Sequence, residues 1–274
     1  MKVFLIFVIV TIGQTSLNAQ IVSGKLIDEN KKPMAYVNIG VIGLNRGAIS
    51  SKKGLYNIDI TGIDDEKIAK FSHVGYESVE FKIGELKKKH AESLNITLKK
   101  RIFKLQEVVI RPNNNQPVNI GAKRRGMMSW IWSEAISGAE IGTLIKNDKP
   151  VLLDKLLFHV RKNYCDSILY RVKIYDGKDK FPQEIINTED IRFVSKKKKG
   201  WDCVDLSDYN IAVDGGFIIA LETLESWSND EFRTTHLSLS NVKKLSFSRT
   251  SSMAKWTVFL NEMSFKVKVK EYDH

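Results

Sequence analysis

The chain has 274 residues, with 43 Lys and Arg against 32 Asp and Glu for a formal charge of +11, and 43% of its residues are hydrophobic. Interspersed charge signs, 17 Gly and only 5 Pro exclude a disordered tail, a collagen-like repeat and a disulfide-dense framework. The length suits one or two domains with cores of their own and is too short for a large membrane barrel.

Residues 1–19 differ from everything after them. Lys2 is their only charge, and Val3 to Ile12 contains one polar residue, Thr11. An apolar run of about ten residues, where a bilayer-spanning helix needs about twenty, reads as a secretory signal peptide with cleavage between Ala19 and Gln20. No Cys near that point invites lipid attachment, and no second apolar run of membrane-spanning length follows. The expectation is an exported chain, in the periplasm or associated with the outer membrane and cell surface, with no transmembrane span after cleavage.

Between Gln20 and Leu98, short β-branched and aromatic runs alternate with turn signals. They are Gln20–Ile27, Ala35–Ile42, Gly47–Ser50, Leu55–Ile60, Lys67–Val74, Glu77–Ile83 and Leu94–Leu98, with no useful amphipathic helix between them. Seven strands in about eighty residues predict a two-sheet sandwich.

The order of the pieces is recognisable. Val22-Ser23-Gly24-Lys25-Leu26-Ile27-Asp28, Lys32-Pro33-Met34-Ala35-Tyr36-Val37-Asn38-Ile39, Asn45-Arg46-Gly47-Ala48-Ile49-Ser50 and Lys53-Gly54-Leu55-Tyr56 come first. Phe71-Ser72-His73-Val74-Gly75-Tyr76-Glu77, Leu94-Asn95-Ile96-Thr97-Leu98 and Leu105-Gln106-Glu107-Val108-Val109-Ile110 follow. This succession resembles the carboxypeptidase regulatory-like domain, a transthyretin-type (prealbumin-like) β-sandwich, over residues 20–110. In carboxypeptidases that module accompanies the catalytic domain, so the resemblance implies no peptidase activity. It also occurs at the N-terminus of TonB-dependent receptors, whose plug and barrel do not fit in the remaining 164 residues.

Arg111 to Pro117, with three Asn and two Pro, reads as an interdomain linker, assigned to residues 111–120. Residues 121–274 again read as strands: Ala139–Lys146, Val151–Val160, Ser167–Asp176, Ile191–Val194, Trp201–Leu206, Phe217–Thr223, Val242–Phe247, Lys255–Leu260 and Ser264–Lys270. Trp130 to Ile136 reads as a short helical or irregular lead-in. In the last strand Phe265, Val267 and Val269 alternate with Lys266, Lys268 and Lys270, which suits a charged row toward water, at an edge that needs protection from pairing. The expected fold is all-β, two β-sandwiches, the second jelly-roll-like. Ser137 to Gly142, Tyr170 to Tyr175 and Gly200 to Tyr209 resemble the C-terminal sandwich of uncharacterised exported Gram-negative proteins, and their layout is similar to jelly-roll carbohydrate-binding modules.

The basic excess is spread along the chain, with 17 basic and 11 acidic residues in 20–111 and 25 and 21 in 112–274. The runs Lys87–Lys89, Lys99–Arg101, Lys123–Arg125 and Lys196–Lys199 read as solvated turns, with anionic lipid headgroups or acidic polysaccharide as the other reading and no nucleic acid expected. Cys165 and Cys203 would travel to a compartment that permits a disulfide, and their pairing stays open. If Ser167–Tyr175 is a strand, Cys165 just before it falls on the more polar parity with Arg171 and Lys173.

No nucleophile elbow, phosphate loop, dinucleotide fingerprint or zinc spacing is present, so no catalytic residue, metal or cofactor is assigned. His159 and His236 read as solvent-facing strand residues, and His73 is discounted because Gly75 separates it from Glu77. Asp202, Asp205, Asp208, Glu134 and Glu140 read as surface carboxylates. All five Trp lie in the second half. Trp130 and Trp132 share a face if extended, and Trp227 sits among loop-like residues, so Trp227, Trp130, Trp132 and Trp201 are the candidate ligand-binding rings. The reading is a non-enzymatic envelope binding or structural protein, with the first module as spacer or docking unit and the second sandwich recognising a glycan or an envelope protein. The alternative is an envelope polysaccharide hydrolase using carboxylates of the second half, and oligomeric state is left open.

Overall fold

A computed structural model describes residues 19–89, 93–102, 111–112, 116–132, 137–229 and 234–273. The signal peptide expectation, apart from Ala19 and Gln20, lies outside the described residues, as does Glu134. No helix among the described residues is long and apolar enough to cross a membrane.

The N-terminal body contains β1 (Ile21–Asp28), β2 (Asn38–Val41), β3 (Gly47–Ile49), β4 (Leu55–Asp59), β5 (Ile68–Ser72), β6 (Val79–Lys82), α1 (Ile83–Lys89) and β7 (Ile96–Leu98). The strands form two sheets, β4-β1-β7 and β3-β2-β5-β6. Alternation builds the core. Val22 and Leu26 of β1, Tyr56 and Ile58 of β4, and Ala69 and Phe71 of β5 all point inward, with Ile39 and Val41 of β2 closing the other side. The seven-residue helix α1 is an element the strand pattern does not announce. It forms because Ile83 and Leu86, three residues apart, are both buried, while Lys87 Nζ reaches Asp65 at 2.6 Å.

The C-terminal body contains β8 (Arg111–Pro112), β9 (Val118–Gly121), β10 (Met128–Trp132), β11 (Glu140–Ile145), β12 (Pro150–Asn163), β13 (Ser167–Asp176) and β14 (Ile191–Ser195). It continues with β15 (Gly200–Asp205), β16 (Ala212–Asp214), β17 (Phe217–Trp227), β18 (Thr235–Leu239), β19 (Ser246–Arg249), β20 (Thr257–Phe259) and β21 (Phe265–Asp273). An eight-stranded sheet built around β12 and β21 packs against a six-stranded sheet ordered β14-β13-β17-β11-β19-β20. One apolar core joins them. Leu153, Leu156 and Phe158 of β12 and Val267 of β21 meet Tyr170 and Val172 of β13 and Ile219 and Leu221 of β17. The protein is thus all-β, with stacked sheets in both bodies.

Three expectations need correction. The stretch read as a linker is drawn into the second body, since β8 and β9 both pair with β21. That pairing, with β12 on its other partner side, also takes β21 off the edge where its Lys row had placed it. Trp130 and Trp132 belong to strand β10, paired with β18, in place of a helical or irregular lead-in.

Candidate functional site

The outer face of the six-stranded sheet carries charge where a solvated face was expected. Arg171 of β13 stands opposite Glu222 of β17, Glu222 opposite Glu140 of β11, and Glu140 opposite Arg249 of β19, so these four residues form one row across four strands. Glu222, Glu140 and Arg171 are fully buried, and Lys173, next along β13, is 1% exposed. The polar parity of β13 is therefore covered, and what covers it is the N-terminal body.

Arg171 uses all five of its N–H donors. Nε and Nη2 bond Asp190 at 2.5 and 3.2 Å, and Nη1 bonds Glu222 at 3.0 Å. Nη1 also reaches Asn38 Oδ1 at 3.1 Å, and Nη2 the Tyr36 carbonyl at 2.8 Å, both in the N-terminal body. Asn38 returns its amide to Glu222 and to Ser252 Oγ. Tyr36 aims its carbonyl into this seam from the left-handed region, at φ 59°, a conformation a bulky residue holds only when its surroundings determine it. Its hydroxyl donates to Glu225 at 2.9 Å, and the Arg192 guanidinium lies over its ring. Two glycines let the bodies meet. A Cβ on Gly40 would stand 2.2 Å from the Ser252 carbonyl oxygen, and one on Gly47 2.6 Å from it.

Electrostatics follow from that burial. Burial raises the Glu140 carboxyl, but Arg249, Lys173 and the Tyr175 hydroxyl outweigh it and hold the group down at about 2. Burial also opposes ionisation of Asp190, and the hydrogen bond from His73 and the Arg171 charge win, leaving it below the ordinary carboxylate range. The Tyr175 phenol is pushed well up by burial and by Glu140. Glu140 and Asp190 thus stay ionised against their cations, as a buried charge must.

Beside the row the seam opens into a cleft of about 940 Å³ lined by both bodies. Its apolar lining includes Tyr76, Tyr175, Phe181 and Trp256. Trp256 is half-buried, lies edge-on to Tyr175 and Phe247, and has the Arg249 guanidinium 4.5 Å from its ring centre. Most of the lining charges are paired. Lys173 and Arg249 are backed by Glu140 and Glu222, Lys70 pairs with Glu80, His73 Nε2 faces Asp190, and Arg101 and Lys255 are matched in number by Glu77 and Glu184.

None of the four predicted rings lines this cleft. Trp132 is in the core, stacked on Tyr170, and Trp130 is stacked on Phe259 at 4.7 Å with its buried Nε1 lacking a partner. Trp201 lies on the outer face of the eight-stranded sheet against His159, and Trp227 is 40% exposed at the end of β17 with Lys52 over its ring. Cys165 is buried and Cys203 exposed, and no disulfide joins them. The parity that suggested a polar setting for Cys165 misleads because that residue precedes β13 and turns into the core. Glu140, read as a surface carboxylate, is fully buried, and His159, read as solvent-facing, is 5% exposed and bonded through Nδ1 to Ser238 Oγ. Asp205 is exposed as expected. The residues that sequence reasoning missed are Arg171, Lys173, Glu222 and Trp256. The available signal was the density of charge on two otherwise apolar strands, Tyr170–Tyr175 and Phe217–Glu222. Among the described residues no group of His, Cys, Asp and Glu is arranged to hold a metal.

Comparison with known proteins finds no match among curated ones. Among solved structures, the cysteine protease and lectin-like domains of Cwp84, a surface layer associated protein of Clostridium difficile, align at 14% identity and TM-score 0.36, covering 50% of this chain and 33% of that one. The infectious bursal disease virus Gx strain structure aligns at 8% identity and TM-score 0.29, covering 91% and 62%. The chain thus spans about a third of the first of these and less than two thirds of the second, and at such scores neither adds to the assignment. The sequence model of one family does match, over the segment whose motifs and paired sheets were described above. Residues 22–110 are a CarboxypepD_reg-like domain.

Proposed function

We propose that this is an exported, non-enzymatic binding protein of the cell envelope whose recognition site is the cleft between its two bodies, and whose ligand is an uncharged saccharide. The observation that carries the reading is the pairing of an aromatic lining, Trp256 and Phe181 foremost, with charges that are internally matched. Flat rings pack on the apolar faces of sugars, and pre-paired polar groups offer hydrogen bonds without attracting ions. The regulatory-like domain supplies one wall of the site, a larger part than a spacer would play. A glycosidase would need one carboxyl that keeps its proton, and Glu140 is held ionised.

The test is calorimetric titration with neutral envelope oligosaccharides, together with turnover assays on the same polymers. Phe181→Ala and Trp256→Ala should each weaken binding at least tenfold while leaving the circular dichroism spectrum unchanged, and no product should form. Hydrolysis lost in Glu184→Gln would replace this reading with the hydrolase, and undiminished binding by both variants would place the ligand elsewhere.

A further inference from the structure

The basic residues that are scattered along the chain gather on the outer face of the eight-stranded sheet, across the sandwich from the cleft. The centre is Trp201 of β15, which stands opposite His159 of β12. Lys266 of β21 lies with Nζ 4.3 Å from the Trp201 ring centre. Arg125, Arg161 and Lys199 sit close enough to His159 for their charges to depress its protonation, after burial as the larger cause. Lys162 and Arg161 act in the same way on His236, again after burial. Arg125 ends one of the sequence's basic runs and Lys199 another, and the fold delivers them to one place.

Most other cations of this sheet are answered. Lys155 has Asp205 at 3.5 Å, and Lys268 and Lys270 have Asp154 at 3.9 and 3.5 Å. Among the described residues, no carboxylate lies within ion-pair distance of Arg125, Arg161, Lys162, Lys199 or Lys266. Lys266 over the indole, Arg125, Arg161 and Lys199 about its neighbour His159, and Lys162 over the Tyr164 ring beside His236 together make a strongly positive surface with a stacking ring in it.

We infer that this face binds an acidic polysaccharide, its carboxylate or sulfate groups meeting the five cations and one sugar ring resting against Trp201. Two other polyanions fit less well. A lipid surface is held by cations together with inserted apolar groups, and β12, β15 and β21, which carry Trp201 and Lys266, bear none of the exposed large hydrophobic residues, leaving Ile131 of β10, opposite His236, as a single such side chain on this face. Single-stranded nucleic acid is held by a succession of stacked rings, and this surface offers one such indole. The inference is independent of the cleft, because the two surfaces lie on opposite faces of the C-terminal sandwich.

The experiment measures binding of the full chain to polygalacturonate and to dextran sulfate at 50 and 300 mM NaCl, with dextran, anionic phosphatidylglycerol vesicles and a single-stranded oligonucleotide as comparisons. At least one acidic polymer should bind, more weakly at high salt, while any binding of dextran should be insensitive to salt and to the substitutions on this face. Lys266→Glu with Arg161→Glu should weaken binding at least tenfold, Trp201→Ala severalfold, and Trp256→Ala not at all. Circular dichroism verifies folding, and Lys266→Gln with Arg161→Gln, which should give an intermediate loss, serves if charge reversal disturbs it. Binding to neither polymer, equal binding by the substituted proteins, or tighter binding to vesicles or oligonucleotide would each overturn the inference.

Discussion

Arg171 Nη1 donates to Asn38 Oδ1 at 3.1 Å across 133 residues of sequence, and both residues are buried. That bond joins one sandwich to the other beside the candidate cleft, whose lining includes Arg249 from the far end of the same ionic row.

Arg171→Met should be among the most damaging single changes. It leaves Glu222 and Asp190 buried without their main cation, and breaking a buried pair from one side costs about 3–5 kcal/mol. Arg171→Lys should recover only part of that, because an ammonium cannot reproduce the planar fork that serves five acceptors. Urea denaturation measures both, and a loss below about 1 kcal/mol for Arg171→Met would show that the row does not hold the bodies together.

Gly40→Ala isolates close approach from backbone strain, since Gly40 is not among the positive-φ glycines. The new methyl would sit 2.2 Å from the Ser252 carbonyl oxygen, so the bodies must shift. The expected cost is about 1–3 kcal/mol, with altered protection of β2 amides in hydrogen exchange. Gly62→Ala is the control. Its added Cβ meets nothing within 4 Å, so only its φ of 72° is felt.

Acid should expose the buried carboxylates. Glu140 is lowered from an ordinary 4.5 to about 2, so its contribution is complete above 4.5 and is lost as pH falls toward 2, where the folded state also protonates. Glu140→Gln should therefore be less stable than the parent at pH 6, and the gap in melting temperature should narrow as pH drops from 4.5 to 2.5. A gap that stays constant over that range would mean Glu140 does not titrate as its surroundings require.

The two thiols should behave differently toward a disulfide reagent. Native protein should label once, at exposed Cys203, and slowly, because burial raises that thiol above its ordinary value. Cys165 should label only in denaturant. Two fast equivalents from native protein would contradict the packing of Cys165 in the core.

Much of the architecture was legible in the chain itself. Period-two runs marked most strands, and the ordered motifs from Val22 to Ile110 identified the first module, because alternation and turn chemistry are local properties. Short pairing segments such as β9, β16 and β18 escaped, being strands only by virtue of their partners. Alternation also shows that two faces of a strand differ without showing what each one meets. Arg171 and Lys173 looked like a wet face and lie beneath a second body, with Trp256 beside them in a cleft no motif announces. Cations that are dispersed in sequence become a surface only once register sets β12, β15 and β21 side by side. Local periodicity was thus enough to write the strands, and the long-range pairing of one strand or body against another decided which charges are buried, which are matched and which face solvent.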